Sequence, residues 1–150
     1  LIPPGGLQVL LALAGAFLYP EPRVGIGTAL RGVASATIDV SDGLATDLGR
    51  VLDASEVGAR LDVTRLPLAQ EAVDRLGLEE AQRLALTGGD DYELCFTVPA
   101  AAVGELLTRA AGWPVPATRI GEIEAARGLR LIAAPPDLPA GWQHFSGDRA

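Results

Sequence analysis

An α+β fold, a mixed β-sheet covered by helices, is what this sequence predicts, and three observations carry the prediction. Stretches of period-two hydrophobicity alternate along the chain with stretches of helical period. Turn residues separate them: the 150 residues include eighteen glycines and eleven prolines. Apolar residues make up 49% of the chain, enough for a packed core. The length suggests one domain, with no internal repeat, low-complexity tract or interdomain linker.

The elements follow in order. Residues 7–18, within "LQVLLALAGAFLY", read as an apolar helix stopped by Pro20 and Pro22. The run is too short to span a bilayer and lacks the flanks of a signal peptide, so a core or partner-facing helix is expected. A second short helix is expected over 24–32. Residues 35–40 alternate, with Ala36, Ile38 and Val40 on one face and Thr37 and Asp39 on the other. From 42 to 54, Leu44, Leu48, Val51 and Leu52 recur at helical spacing. Residues 58–66 read as a strand with Leu61 and Val63 inward, closed by Pro67. Helices are expected over 68–76 and 79–86, then a strand through Tyr92, Leu94, Phe96 and Val98. A helix over 100–111 and two strands near 117–123 and 128–133 complete the series, before a proline-rich, aromatic tail.

Bulk properties exclude several functions. The net charge is −7 and all twelve basic residues are Arg. No basic cluster exists to neutralise nucleic-acid phosphates, and without Lys there is no Walker-type phosphate loop. The single Cys95 rules out a disulfide framework and points to a reducing cytoplasm. The chain starts with Leu and has no Met, which leads us to expect a piece of a longer protein.

Two acids at a strand-to-helix junction carry the chemical interest. In "DVSDG", Asp39 leaves the strand on its polar face and Asp42 stands where the helix starts. Ligands of α/β proteins bind at such strand ends, and a helix N-terminus adds free N–H groups. Carboxylates there would hold a hard cation while the hydroxyl and amides hold phosphate oxygens. Ser-Asp-Gly before an apolar period reads equally well as a plain N-cap, and both readings stay open. In "TGGDDYEL" two glycines let backbone approach a ligand closely, and Asp90, Asp91 and Glu93 follow. A tight turn bearing solvated acids is the commoner reading of such a segment. In "GWQHF", Trp142 offers a flat apolar face, though a core anchor is its commoner role, and His144 has no second histidine with which to build a zinc site. Cys95 reads as a packed small residue.

Taken together, "IDVSDGLATDLGRVLDASEVGARLDVTRLPL", "ALTGGDDYELCFTVP", "FLYPEPRVGIGTALRG" and "GWQHF" resemble the C-terminal domain of thiamine-monophosphate kinases, within the aminoimidazole-ribonucleotide synthetase-like superfamily. The resemblance implies the fold of that domain. It also implies transfer of the γ-phosphoryl of ATP to thiamine monophosphate, giving thiamine diphosphate and assisted by several Mg²⁺ ions. On the matching positions, Asp39 and Asp42 would be magnesium ligands, Ser41 an ATP contact, and Asp90 and Trp142 substrate contacts. Asp90 departs from the family's usual Glu by one methylene. The resemblance further implies that an N-terminal domain outside this chain carries most of the metal ligands, much of the ATP site and a homodimer interface. This chain alone would then not turn over. The partners expected are thiamine monophosphate, ATP and that domain, with neither nucleic acid nor membrane. Two alternatives stand beside it: an ATP-dependent superfamily member with another acceptor, and a non-catalytic module that keeps the fold.

Overall fold

The structure is a computed structural model that describes residues 18–136 and Leu138. The expected helix over 7–18 lies outside the described residues except for its last one, and so do Trp142 and His144. The elements run α1 (Val24–Ala29), β1 (Ala36–Val40), α2 (Leu44–Ser55), β2 (Gly58–Asp62), α3 (Gln70–Leu76), α4 (Leu78–Thr87), β3 (Glu93–Thr97), α5 (Val103–Ala110), β4 (Gly121–Glu124) and β5 (Gly128–Ile132). Single 3₁₀ turns at Val63–Arg65 and Ala100–Ala102 follow β2 and precede α5. No helix among the described residues is long and apolar enough to cross a membrane.

The α+β class is as expected, and the sheet built on β2 is mixed: β2 pairs antiparallel with β4 and parallel with β5. The five strands among the described residues nevertheless divide between two sheets. β1 and β3 form a separate antiparallel ribbon in which Asp39 stands opposite Leu94 and Ile38 opposite Cys95.

That ribbon divides two cores because its side chains alternate. Val40 and Cys95 face a core in which Leu44, Leu48 and Leu52 of α2 pack with Ala59 and Leu61 of β2 and with Val63, Leu66 and Leu86. Leu94 and Phe96 face the other, around Ile26, Leu30 and Leu106. There Phe96 meets Trp113 edge to face, with ring centroids 6.5 Å apart. Each fully buried leucine contributes about 1.5–3 kcal/mol relative to exposure, so the stripe on α2 seats this helix firmly against the sheet.

Boundaries moved where side chains compete for backbone groups. The strand expected over 58–66 ends at Asp62, because the Asp62 carboxylate accepts the Thr64 N–H at 3.0 Å and its hydroxyl at 2.6 Å. The chain curls into a 3₁₀ turn, yet Leu61 and Val63 both remain buried. The strand expected over 117–123 is shorter, Gly121–Glu124; before it, the Ile120 carbonyl still accepts the Asp62 N–H at 2.8 Å.

Candidate functional site

The two acidic segments, separated in sequence, are laid against each other. β3 pairs with β1, so the loop entering β3 must pass the loop leaving β1. The Asp90 N–H donates to the Ser41 carbonyl at 2.9 Å, and the Tyr92 N–H to the Val40 carbonyl at 2.8 Å. Glycines make this approach feasible. A Cβ on Gly89 would lie 2.4 Å from the Ser41 carbonyl oxygen, and one on Gly43 2.9 Å from that of Thr87. Gly43 also has φ 108°, which disfavours any side chain. Gly89 of "TGGDD" thus admits the neighbouring loop, where the sequence had suggested close approach to a ligand, while Gly88 lies against the Leu84 carbonyl of its own helix.

The N-cap reading of Ser-Asp-Gly is not what forms. Helix α2 begins at Leu44 with Gly43 as N-cap, and no side chain caps it. The acceptor comes from one turn inside the helix. Asp47, 0% exposed, takes the N–H of Ser41 at 3.0 Å and of Asp42 at 2.9 Å on the same oxygen, Oδ2. Its Oδ1 pairs with Arg50 Nη1 at 2.5 Å, and that nitrogen also reaches Asp42 Oδ2 at 2.5 Å. Asp42 is itself only 6% exposed. Two buried carboxylates are therefore held beside one guanidinium, as burial of charge requires.

Asp39 is exposed, on the ribbon face that carries Leu94. It borders a hollow of about 250 Å³ together with Arg23, Gly27 and Tyr92. Asp90 is exposed in the left-handed region at φ 63°, a conformation aspartate tolerates. Its carboxylate accepts the Tyr92 hydroxyl at 3.2 Å. Tyr92 also has a positive φ, 52°, which is uncommon for a bulky residue. Its phenol is held above its ordinary pKa, first by the hydrogen bond to Asp90 and that residue's charge, then by partial burial and the charges of Asp39 and Asp42. One hydroxyl thus senses acids from both segments. The Asp91 carboxyl is raised as well, by desolvation first and then by Glu93 and Asp90.

Arg23, from "PEPR", fastens the far end of the acidic loop. Its Nη2 and Nε donate to Glu93 at 2.7 and 3.1 Å, a forked pairing stronger than a single contact. A larger apolar groove of about 890 Å³ meets this loop at Gly88, Asp91 and Glu93, but Asp39, Asp42 and Asp90 do not line it. The Cys95 thiol is pushed up to about 11, by burial first and then by the Asp47 charge, which leaves it an inert packed residue as read from the sequence.

Ser41, Asp42 and Asp90 are therefore brought together, with Asp39 beside Tyr92. Among the described residues, no three His, Cys, Asp or Glu side chains are grouped so as to hold a metal ion by themselves. Sequence reasoning missed Asp47 and Arg50. The signal was present: Asp47 stands three residues after Leu44 and four before Val51, on the helix's apolar stripe, where an acid needs partners.

Comparison with known proteins identifies the family of this fold. Residues 22–134 match the family of AIR synthase related proteins, C-terminal domain. The chain is 42% identical to a thiamine-monophosphate kinase of Escherichia coli strain K12 over 129 residues, which is 85% of this chain and 40% of that protein. The crystal structure of thiamine-monophosphate kinase from Stenotrophomonas maltophilia K279a superposes with a TM-score of 0.81 at 40% identity, over 86% of this chain and 41% of that one. AaThiL complexed with AMPPCP and TMP gives 0.74 at 30% identity, over 91% and 42%. The chain thus spans about two fifths of the length of these relatives. The helices α1 to α5, the strands β1 to β5 and both acidic loops lie inside the family match, and the chain belongs to the AIR synthase related protein family, as its C-terminal domain.

Proposed function

We propose that this chain is the C-terminal part of a kinase that transfers the γ-phosphoryl of ATP to thiamine monophosphate. The bond from the γ-phosphorus to the ADP oxygen breaks, and a bond to a phosphate oxygen of the acceptor forms, giving thiamine diphosphate and ADP. The observation that carries the reading is the likeness to AaThiL, which was complexed with AMPPCP and TMP. Transfer between two polyanions depends on positioning and charge neutralisation, which gives clustered acids a purpose as holders of cations.

In this reading Asp39 and Asp42 hold Mg²⁺, Ser41 contacts ATP, and Asp90 and Trp142 contact the thiamine substrate. The donor set suits the ion, since carboxylate oxygens are the hard ligands magnesium prefers. When bound, Mg²⁺ supplies neutralisation of the phosphate charge. A pair of acids is only part of a coordination sphere, and in this reading, following the family resemblance, the remaining ligands, much of the ATP site and a homodimer interface belong to an N-terminal domain outside this chain. The protein works in the cytoplasm, where ATP is available.

The test is ADP release by the protein that carries this chain, with thiamine monophosphate and Mg-ATP. Asp42→Asn is expected to lower turnover by about tenfold or more, equivalent to about 1.4 kcal/mol or more of transition-state stabilisation. Unchanged kinetics would remove Asp42 from the site. The 150-residue chain alone is expected to show no turnover, and robust activity from it would overturn the division of the site between domains.

A further inference from the structure

We infer that Asp47 and Arg50 are positioning residues that set the orientation in which the Asp42 carboxylate meets a divalent cation. The inference rests on the cation role proposed above for Asp42. Asp47 is 0% exposed, so it acts through its neighbours and not on a ligand. Its two oxygens divide the work. Oδ2 accepts the N–H groups of both Ser41 and Asp42, at 3.0 and 2.9 Å, which fixes the backbone from which Asp42 projects. Oδ1 holds Arg50 Nη1 at 2.5 Å, and the same nitrogen holds Asp42 Oδ2 at 2.5 Å, which fixes the far end of that side chain.

An aspartate has two side-chain torsions, and fastening both its backbone and one carboxylate oxygen leaves them little freedom. The carboxylate is then held at a set angle. The spacing produces the arrangement: Asp47 and Arg50 are three residues apart on α2 and share one side of the helix. The side chain of Arg50 is 45% exposed, and a pair at such a site adds little to stability by itself. Groups that orient a metal ligand, by contrast, commonly change metal affinity by about 10- to 100-fold when removed.

Calorimetric titration of Mg²⁺ into the nucleotide-free protein that carries this chain tests the inference without using catalysis. Asp42→Asn is expected to abolish measurable binding at this site. Arg50→Gln is expected to weaken it by about tenfold, with a melting temperature within about 3 °C of the parent. Arg50→Lys, which keeps a charge able to bridge the acids, is expected to recover most of the loss. Asp47→Asn retains an oxygen for the two N–H groups but loses the charge that holds Arg50. Its effect on affinity should match that of Arg50→Gln, and the double variant should lose no more than either single one. Should Asp47→Asn fail to fold, the two Arg50 variants decide. Unchanged affinity in Arg50→Gln, alongside loss in Asp42→Asn, would overturn the positioning role and leave the proposed function standing. Unchanged affinity in Asp42→Asn would overturn the cation role of Asp42, and the inference with it.

Discussion

The junction of β1 with α2 and the sheet β4–β2–β5 both carry paired charges, but the pairs do different work. On the sheet, Arg60 meets Glu122 at 3.2 Å and Arg119 meets the same Glu122 at 2.7 Å, all three side chains about half exposed. At the junction, Asp42 and Asp47 are buried and both pair with the guanidinium of Arg50. Water screens the first kind, so partners there can be exchanged at little cost. In the second, water reaches Arg50 but not Asp47, so the costly loss there is that of the buried acid together with the two N–H groups it accepts. Dense ion pairing is therefore a surface property in one region and a positioning device in the other.

The contrast can be broken or sharpened by substitution. The largest effect is expected from Asp47→Ala, which strips the acceptor from two N–H groups and a partner from Arg50. It should destabilise the fold by about 3 kcal/mol, read from the midpoint of urea unfolding. Gly89→Ala comes next, because its Cβ would press on the Ser41 carbonyl. A loss of about 2 kcal/mol is expected in the same assay, and a neutral result would mean that the loops are not in close contact.

A smaller, pH-dependent effect is expected at Asp91. Its raised pKa means that the folded state disfavours the ionised carboxyl. The contribution to stability is fully present below the unfolded-state pKa and is lost as pH rises through the folded one. Asp91→Asn should therefore raise the melting temperature at neutral pH, with the gain vanishing under acidic conditions where the parent carboxyl is protonated. A gain independent of pH would contradict the assigned cause. The smallest effect belongs to the sheet: Arg60→Gln should change stability by about 0.5 kcal/mol or less, and a loss comparable with that of Asp47→Ala would erase the distinction.

Much of the fold was legible because it depends on local pattern. The alternation around Asp39 and the stripe Leu44, Leu48, Leu52 required only the periods of strand and helix, and both emerged within a few residues of the expected limits. The end of β2 was not legible, since it turns on one side chain, that of Asp62, competing for the backbone. The split into two sheets was not legible either. Pairing partners are chosen by contacts between distant residues, and the period of a strand does not name its neighbour.

The acids of the candidate site stood in plain view as "DVSDG" and "TGGDD", and residue type alone said what chemistry they suit. Their company was decided in three dimensions. The pairing of β1 with β3 lays the Asp90 loop on the Ser41 carbonyl. Burial of α2 then forces Asp47 to find partners, and it finds the turn that carries Asp42. Sequence by itself determined the elements, the donor types and the family resemblance, because these follow from local periodicity and motif. Only the tertiary structure decided which glycines yield to a neighbouring loop and which acid is held in place by which cation, because those choices depend on removing specific groups from water together.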